Sequence, residues 1–205
     1  MADRLVLEGA LTEMRVAQEI MNIPVISAND GQEVGKVKGF YIDQNLTHLL
    51  AISLGSEGLF SRKETLIKWP DVVTFGQDAI LIKDADCVIE TSEVENFEEF
   101  VERDEIGGRS VETPGGTKIG RVGDLIFDEK AMISGFALSQ IYVSGPIAAN
   151  RAVSRKAVVD VGNEDGIMTA DLSEAEKDNL QIVYEGLFAE PSVNPTEPAT
   201  VATEA

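Results

Sequence analysis

The feature that most constrains this chain is a phrase used twice. Residues 30–43 read DGQEVGKVKGFYID, and residues 115–128 read GGTKIGRVGDLIFD. Within the phrase, Gly31, Gly35, Val37 and Asp43 are answered by Gly116, Gly120, Val122 and Asp128. Upstream, Glu19-Ile20 is answered by Glu105-Ile106 and Val25 by Val111. Downstream, Val72, Val73 and Gly76 are answered by Val158, Val159 and Gly162 once single-residue gaps are allowed. We therefore place one copy at 14–86 and a second at 100–172. Two copies are too few for a solenoid, so the repeat predicts a tandem or pseudo-symmetric pair.

Each copy reads as short strands. In IPVISANDG (23–31) an apolar run ends in Asn, Asp and Gly, residues that tolerate the positive φ of a tight turn. In HLLAISLG (48–55), strict alternation puts Leu50, Ile52 and Leu54 on one face. DVVTFGQDAILI (71–82) and AVVDVGNEDGIMT (157–169) each read as a hairpin around a glycine. Short strands with turns roughly every 8–12 residues predict a mainly β fold in which each copy is a small barrel or sandwich. Gly35, Gly39, Gly120 and Gly123 fall inside strands, where isolated glycines mark bulges, corners or close backbone approach. Their spacing fits neither G-x-G-x-x-G nor G-x-x-x-x-G-K-[ST], so the phrase is architectural and cradles no phosphate.

The formal net charge is -19. Residues 86–105 hold nine acidic residues against Arg103 alone, and 171–205 hold eight against Lys177 alone, which together supplies fifteen of the nineteen. The acidity thus belongs to a linker (87–99) and to the C-terminal part, while the copies are nearly balanced. This charge argues against nucleic-acid and anionic-lipid partners, both of which need clustered Lys and Arg. No apolar run approaches the ~18 residues of a membrane helix, the N-terminus lacks the pattern of a secretory signal, and Cys87 is the only cysteine. A cytoplasmic protein without direct membrane insertion is expected.

These residues resemble the PRC-barrel family. Its pattern of Pro-Val, a turn, Gly-x-x-[Ile/Val]-Gly-x-Val, a strand closing on Asp, an apolar strand, Pro-Trp or similar and a Gly-x-Asp hairpin is carried by IMNIPVISANDGQEVGKVKGFYID, LLAISLG and LIKWPDVVTFGQDAILI. The second copy, IGGRSVETPGGTKIGRVGDLIFD, FALSQ and RKAVVDVGNEDGIMT, has Ser110-Val111 and no aromatic-proline pair, and is the more divergent. The resemblance implies a small bent β-barrel serving as an interaction module. The family includes the cytoplasmic domain of the H subunit of purple-bacterial photosynthetic reaction centres and the C-terminal domain of a ribosome maturation factor. It implies no general enzymatic activity, no cofactor and no catalytic residue.

A direct search for chemistry agrees with that expectation. His48 is the single histidine and has no Cys or carboxylate at ligand spacing. GNEDG (162–166) lacks the alternating oxygen ligands of a calcium loop and reads as a hairpin turn. Cys87 follows aspartates that oppose thiolate formation.

Outside the copies, 173–188 predicts a C-terminal helix with a Ser173/Glu176 capping box and an apolar stripe of Leu180, Val183 and Leu187, followed by a disordered acidic tail at 189–205. Val94, Phe97, Phe100 and Val101 give the segment 91–105 helical spacing. Two equivalent loops, 56–69 and 140–153, carry Leu59, Phe60, Trp69, Tyr142, Pro146 and Ile147; Trp69 is expected inside. Leu59, Phe60, Tyr142, Pro146, Ile147, Leu180, Val183 and Leu187 are the candidate partner-interface residues. The expected function is a non-enzymatic adaptor or assembly factor for a larger complex, with a photosynthetic or other membrane-associated assembly implied by the resemblance alone. A small-ligand- or metal-binding regulator and a self-assembling structural protein, hence a homo-oligomer, stay open.

Overall fold

The computed structural model describes residues 14–56 and 63–177. The chain begins with β1 (Met14–Val16) and a one-turn helix α1 (Ala17–Ile20), followed by β2 (Pro24–Ser27) and β3 (Glu33–Lys36). Next come β4 (Gly39–Asp43), β5 (Leu49–Ser56), β6 (Glu64–Lys68), β7 (Val72–Phe75), β8 (Ile80–Ile82) and β9 (Val88–Glu90). The second half repeats the opening with β10 (Phe100–Glu102) and α2 (Arg103–Ile106). It continues with β11 (Ser110–Glu112), the long β12 (Lys118–Asp128), β13 (Ile133–Ile141), α3 (Pro146–Asn150), β14 (Ala152–Ser154), β15 (Val158–Asp160), β16 (Ile167–Ala170) and α4 (Leu172–Lys177).

The ladders run in the same order in both halves. β2 pairs antiparallel with β3 and parallel with β8, and β8 pairs antiparallel with β7. Correspondingly, β11 pairs antiparallel with β12 and parallel with β16, and β16 pairs antiparallel with β15. β4–β5–β6 is matched by β12–β13–β14. The difference lies in the repeated phrase: half one breaks at Val37-Lys38 into β3 and β4, whereas β12 runs through, bulged on both sides of Val122.

The expectation of two closed barrels is corrected here. The described strands form three open sheets, ordered β14-β13-β12-β11-β16-β15 with β1 on β12, then β10-β4-β5-β6-β9, then β3-β2-β8-β7. Hydrogen bonding does not close them, because bulges and the break at Val37-Lys38 re-aim the strands instead. Closure comes from side chains. One continuous core takes Val25, Phe40, Ile52, Ile67 and Ile80 from half one and Val111, Leu125, Phe127, Phe136 and Met168 from half two.

The halves also exchange strands. β1, which opens half one, adds to β12 of half two, with Met14 opposite Asp128 and Val16 opposite Ile126. β10, which opens half two, adds to β4 of half one, with Phe100 opposite Asp43 and Glu102 opposite Tyr41. Between them the β4–β5 and β12–β13 turns touch: His48 bridges Met132, the Leu49 amide donates to the Ala131 carbonyl at 2.9 Å, and the Ile133 amide donates to the Thr47 carbonyl at 2.8 Å. Applying the repeat to these pairs returns the same pairs, which is the mark of a local pseudo-twofold axis.

The aspartate that closes each phrase organises these turns. Asp43 Oδ1 accepts from the amides of Thr47 (2.7 Å) and His48 (2.6 Å), and Asp128 Oδ1 accepts from those of Lys130 and Met132, each at 2.9 Å. These local side-chain bonds replace ladder bonds where the chain reverses. The glycine that opens the phrase, Gly31 or Gly116, has φ of 74° or 81°.

Gly120 is a different case. An added Cβ there would run into the carbonyl oxygen of Gln140, on the strand paired beside it. Gly120→Ala is therefore expected to cost ~1–3 kcal/mol, since backbone rather than a flexible side chain must yield. Urea unfolding measures it. A loss no larger than that of Gly31→Ala, where space is open and only φ is strained, would refute the close-approach argument.

Two helical expectations change. Residues 91–105 form two 3-10 turns, a strand and one helical turn rather than one amphipathic helix. Asn96, with φ of 54°, breaks the helical path, and Phe100 is extended because it pairs with Asp43. At the C-terminal helix, Asp171 rather than Ser173 supplies the cap, its Oδ1 accepting from the amides of Ser173 (2.8 Å) and Glu174 (3.2 Å). The helix is described only to Lys177, and the rest of the expected helix and the tail lie outside the described residues.

Candidate interaction surfaces

The candidate interface residues fare differently. Tyr142 is 53% exposed, with its hydroxyl donating to Gln140 Oε1 at 2.5 Å. Pro146 is exposed at the start of α3. Ile147 is corrected: at 1% exposure it lies in the core, where the α3 turn folds it inward, closed to any partner. Trp69 packs on the core, its ring centroid 5.1 Å from that of Phe75. Leu59, Phe60, Leu180, Val183 and Leu187 lie outside the described residues.

The acidic linker has an internal use. Val94, Phe97 and Phe100 cover the outer face of the β4–β5–β6 sheet, over Tyr41, Ala51 and Leu66. Phe97 meets Tyr41 edge-on at 5.0 Å and Phe100 at 5.5 Å. These aromatics are thereby spent on the chain's own sheet, while the glutamates between them face solvent.

Beneath this cover, Ser53 Oγ donates to Glu64 Oε1 at 2.5 Å. Burial, with the Glu64 carboxylate close by, holds the Tyr41 phenol above its usual range, so it stays neutral. Partial burial first, and then the charges of Glu64, Asp104 and Glu105, raise the Glu102 carboxyl. A glutamate whose folded pKa exceeds its unfolded one destabilises the fold once ionised, and that cost vanishes below both values. Glu102→Gln is therefore expected to raise Tm at pH 7 and to leave it unchanged near about pH 3, below both the ordinary and the raised value. An equal gain at both pH values would show that charge is not the cause.

At the seam between the halves, Asp124 is 3% exposed and accepts from Arg103 Nε at 2.8 Å and from the Gln18 amide at 2.7 Å. Arg103 Nη2 also donates to Gln18 Oε1 at 3.2 Å. A cavity of about 80 Å³ adjoins this pair, lined by Arg103, Asp104, Ile106 and Val122 among others. A shallower cleft of about 240 Å³ lies between Met14, Arg15, Glu19, Ile20 and Gln77. Arg155 crosses the seam as well, donating to the carbonyls of Asn45 and Leu46. It holds the position that Trp69 holds in half one, each opening the 3-10 turn before β7 or β15.

Among the described residues no group of three or more His, Cys, Asp or Glu is placed to hold a metal ion. His48 Nδ1 lies 2.9 Å from Thr47 Oγ1, Cys87 Sγ donates to Asp84 Oδ1 at 3.7 Å, and 162–166 is a hairpin turn whose Asn163 Nδ2 donates to the Gln44 carbonyl. Among the described residues no helix is long and apolar enough to cross a membrane.

Sequence reasoning missed one surface. β7 and β15 are the last strands of their sheets, and each carries a bulge, at Val73 and Val159. These valines are 57% and 71% exposed. The signal was present in the paired Val-Val dipeptides, but a bulge is read only from register.

Half one carries the Pro-Val strand, the Trp-Pro turn and the closing hairpin around Gly76. Residues 13–86 match the PRC-barrel domain. No curated protein matches the chain. The PRC-barrel match ends at β8, so β9, the linker cover and all of half two lie beyond it.

Proposed function

We propose that the chain is a non-enzymatic protein–protein interaction module, built from a PRC-barrel unit and a divergent second copy of it. It acts as an adaptor or assembly factor for a larger complex. The PRC-barrel match over 13–86 and the identical ladder order in 110–170 support the tandem reading. The observation that carries the interaction role is Val73, held outward on the terminal strand β7 beside the half-buried Ile26 and Leu81, which stay out of the packed core. Singly exposed apolar residues are ordinary, whereas apolar side chains grouped on one solvent-facing sheet face mark a contact surface. The family resemblance makes a photosynthetic or other membrane-associated assembly the class of target.

The test is affinity capture from the native host at low and high salt, using the intact chain and a chain lacking 189–205. One stoichiometric complex is the expected result, and weakening at high salt assigns the acidic segments a part in it. Recovery of the protein alone, as a defined oligomer, would replace the adaptor reading with self-assembly.

A further inference from the structure

The two halves serve as controls for each other, because register aligns their outward faces position by position. In half one, a row across the β3-β2-β8-β7 sheet reads Glu33, Ile26, Leu81, Thr74. The matching row in half two reads Lys118, Glu112, Thr169, Asp160. Val25, Ile80 and Ile82 are fully buried, so alternation turns Ile26 and Leu81 to the opposite face. Both are half-buried and neither joins the packed core. Val73 stands beside them on the bulge. One face is thus apolar where its twin is polar, though both belong to the same ladder.

The rim of the apolar face is acidic. Glu33 stands in the row itself, and Asp30 and Asp78 lie in the turns that join β2 to β3 and β7 to β8; all three are exposed. Of its two lysines, Lys83 is bound to Asp71 at 2.9 Å, which leaves Lys36. Resting on the interaction reading above, we propose that the outer face around Ile26, Leu81 and Val73 is the docking surface for a partner-protein segment with apolar side chains flanked by Lys or Arg. An apolar centre supplies affinity, and complementary rim charge supplies orientation and association rate. The twin face has Glu112 and Thr169 in place of both apolar anchors and does not take this segment.

A photo-crosslinking side chain at position 73 of the full-length protein, with position 159 as control, tests the assignment in host lysate. The expected result is one protein captured from 73 and not from 159, through a peptide of net positive charge. Yield should fall at about 1 M salt, where the screening length is ~3 Å. Ile26→Glu with Leu81→Thr installs the residues half two already carries, so the fold is kept, as an unchanged Tm will show. That variant should lower the yield more than ~tenfold, the scale of a lost hot spot. Equal capture from 159, a neutral or acidic crosslinked segment, a second copy of this chain, or the chain's own termini would each overturn the proposal. If affinity capture returns a stoichiometric complex but 73 captures nothing, this face is wrong and the adaptor reading stands. If neither returns a partner, both fall.

Discussion

Phe127→Ala is expected to destabilise the whole molecule by ~3–5 kcal/mol, the usual cost of emptying a buried aromatic site. Phe127 belongs to half two and is fully buried, yet its ring packs at 5.5 Å on Phe40 and 5.8 Å on Phe75, both of half one. Aromatic pairs add to area burial, so the loss falls on both halves. Phe75 in turn packs on Trp69, the only tryptophan. Trp69 fluorescence therefore reads half one while the substitution sits in half two. At ~2–4 °C per kcal/mol for a chain of this size, Tm should fall by roughly 6–20 °C, and the fluorescence and circular-dichroism transitions should move together. A Trp69 transition that stays in place while the circular-dichroism transition splits would mean that the halves fold independently and that the shared core is not cooperative.

Asp124→Ala carries the second large effect. The carboxylate accepts from Arg103 Nε, from the Gln18 amide and from its own neighbour's amide at Leu125, all within 2.8 Å. The Arg103 side chain is only 14% exposed, so removing its buried partner leaves a charge largely out of water, with only the exposed Asp104, 3.1 Å from Nη1, to offset it. Breaking such a pair from one side costs ~3–5 kcal/mol, whereas removing both partners is often close to neutral. The repeat supplies the control. By register, Ala17 and Gly39 of half one stand where half two has Arg103 and Asp124. Arg103→Ala with Asp124→Gly thus copies a seam the fold already tolerates, and it should recover much of the stability lost in Asp124→Ala. Denaturant midpoints of the three proteins decide the matter. If the double variant is the least stable, the carboxylate works by positioning α1 and α2 rather than by neutralising Arg103.

Much of the local structure was legible in the residues. Asn29-Asp30-Gly31 and its counterpart Pro114-Gly115-Gly116 announce turns because positive φ and Asx bonds are properties of single residues. The 162–166 tract announces its hairpin turn for the same reason. The candidate surface was less legible. Ile147 sits in a loop-like tract, and nothing local says that α3 will turn it inward. The 91–105 segment has helical spacing, but its aromatics are placed by Tyr41 and Leu66 of a distant hairpin. The contrast between Ile26-Leu81 and Glu112-Thr169 needs the pairing register, because parallel partners such as Ile26 and Leu81 are far apart in the chain.

By itself, the sequence determined that the chain is mainly β, that its strand phrase is used twice, and where its turns fall. Those are consequences of side-chain period and of backbone preferences one or two residues wide. Only the tertiary structure decided which sheet each leading strand joins. β1 and β10 open similar phrases and join the edges of β12 and β4, so no local preference separates joining one's own half from joining the other. The shared core around Phe40, Phe75 and Phe127 accompanies the exchanged arrangement, and it joins into one packed core two phrases that, read alone, describe only two similar pieces.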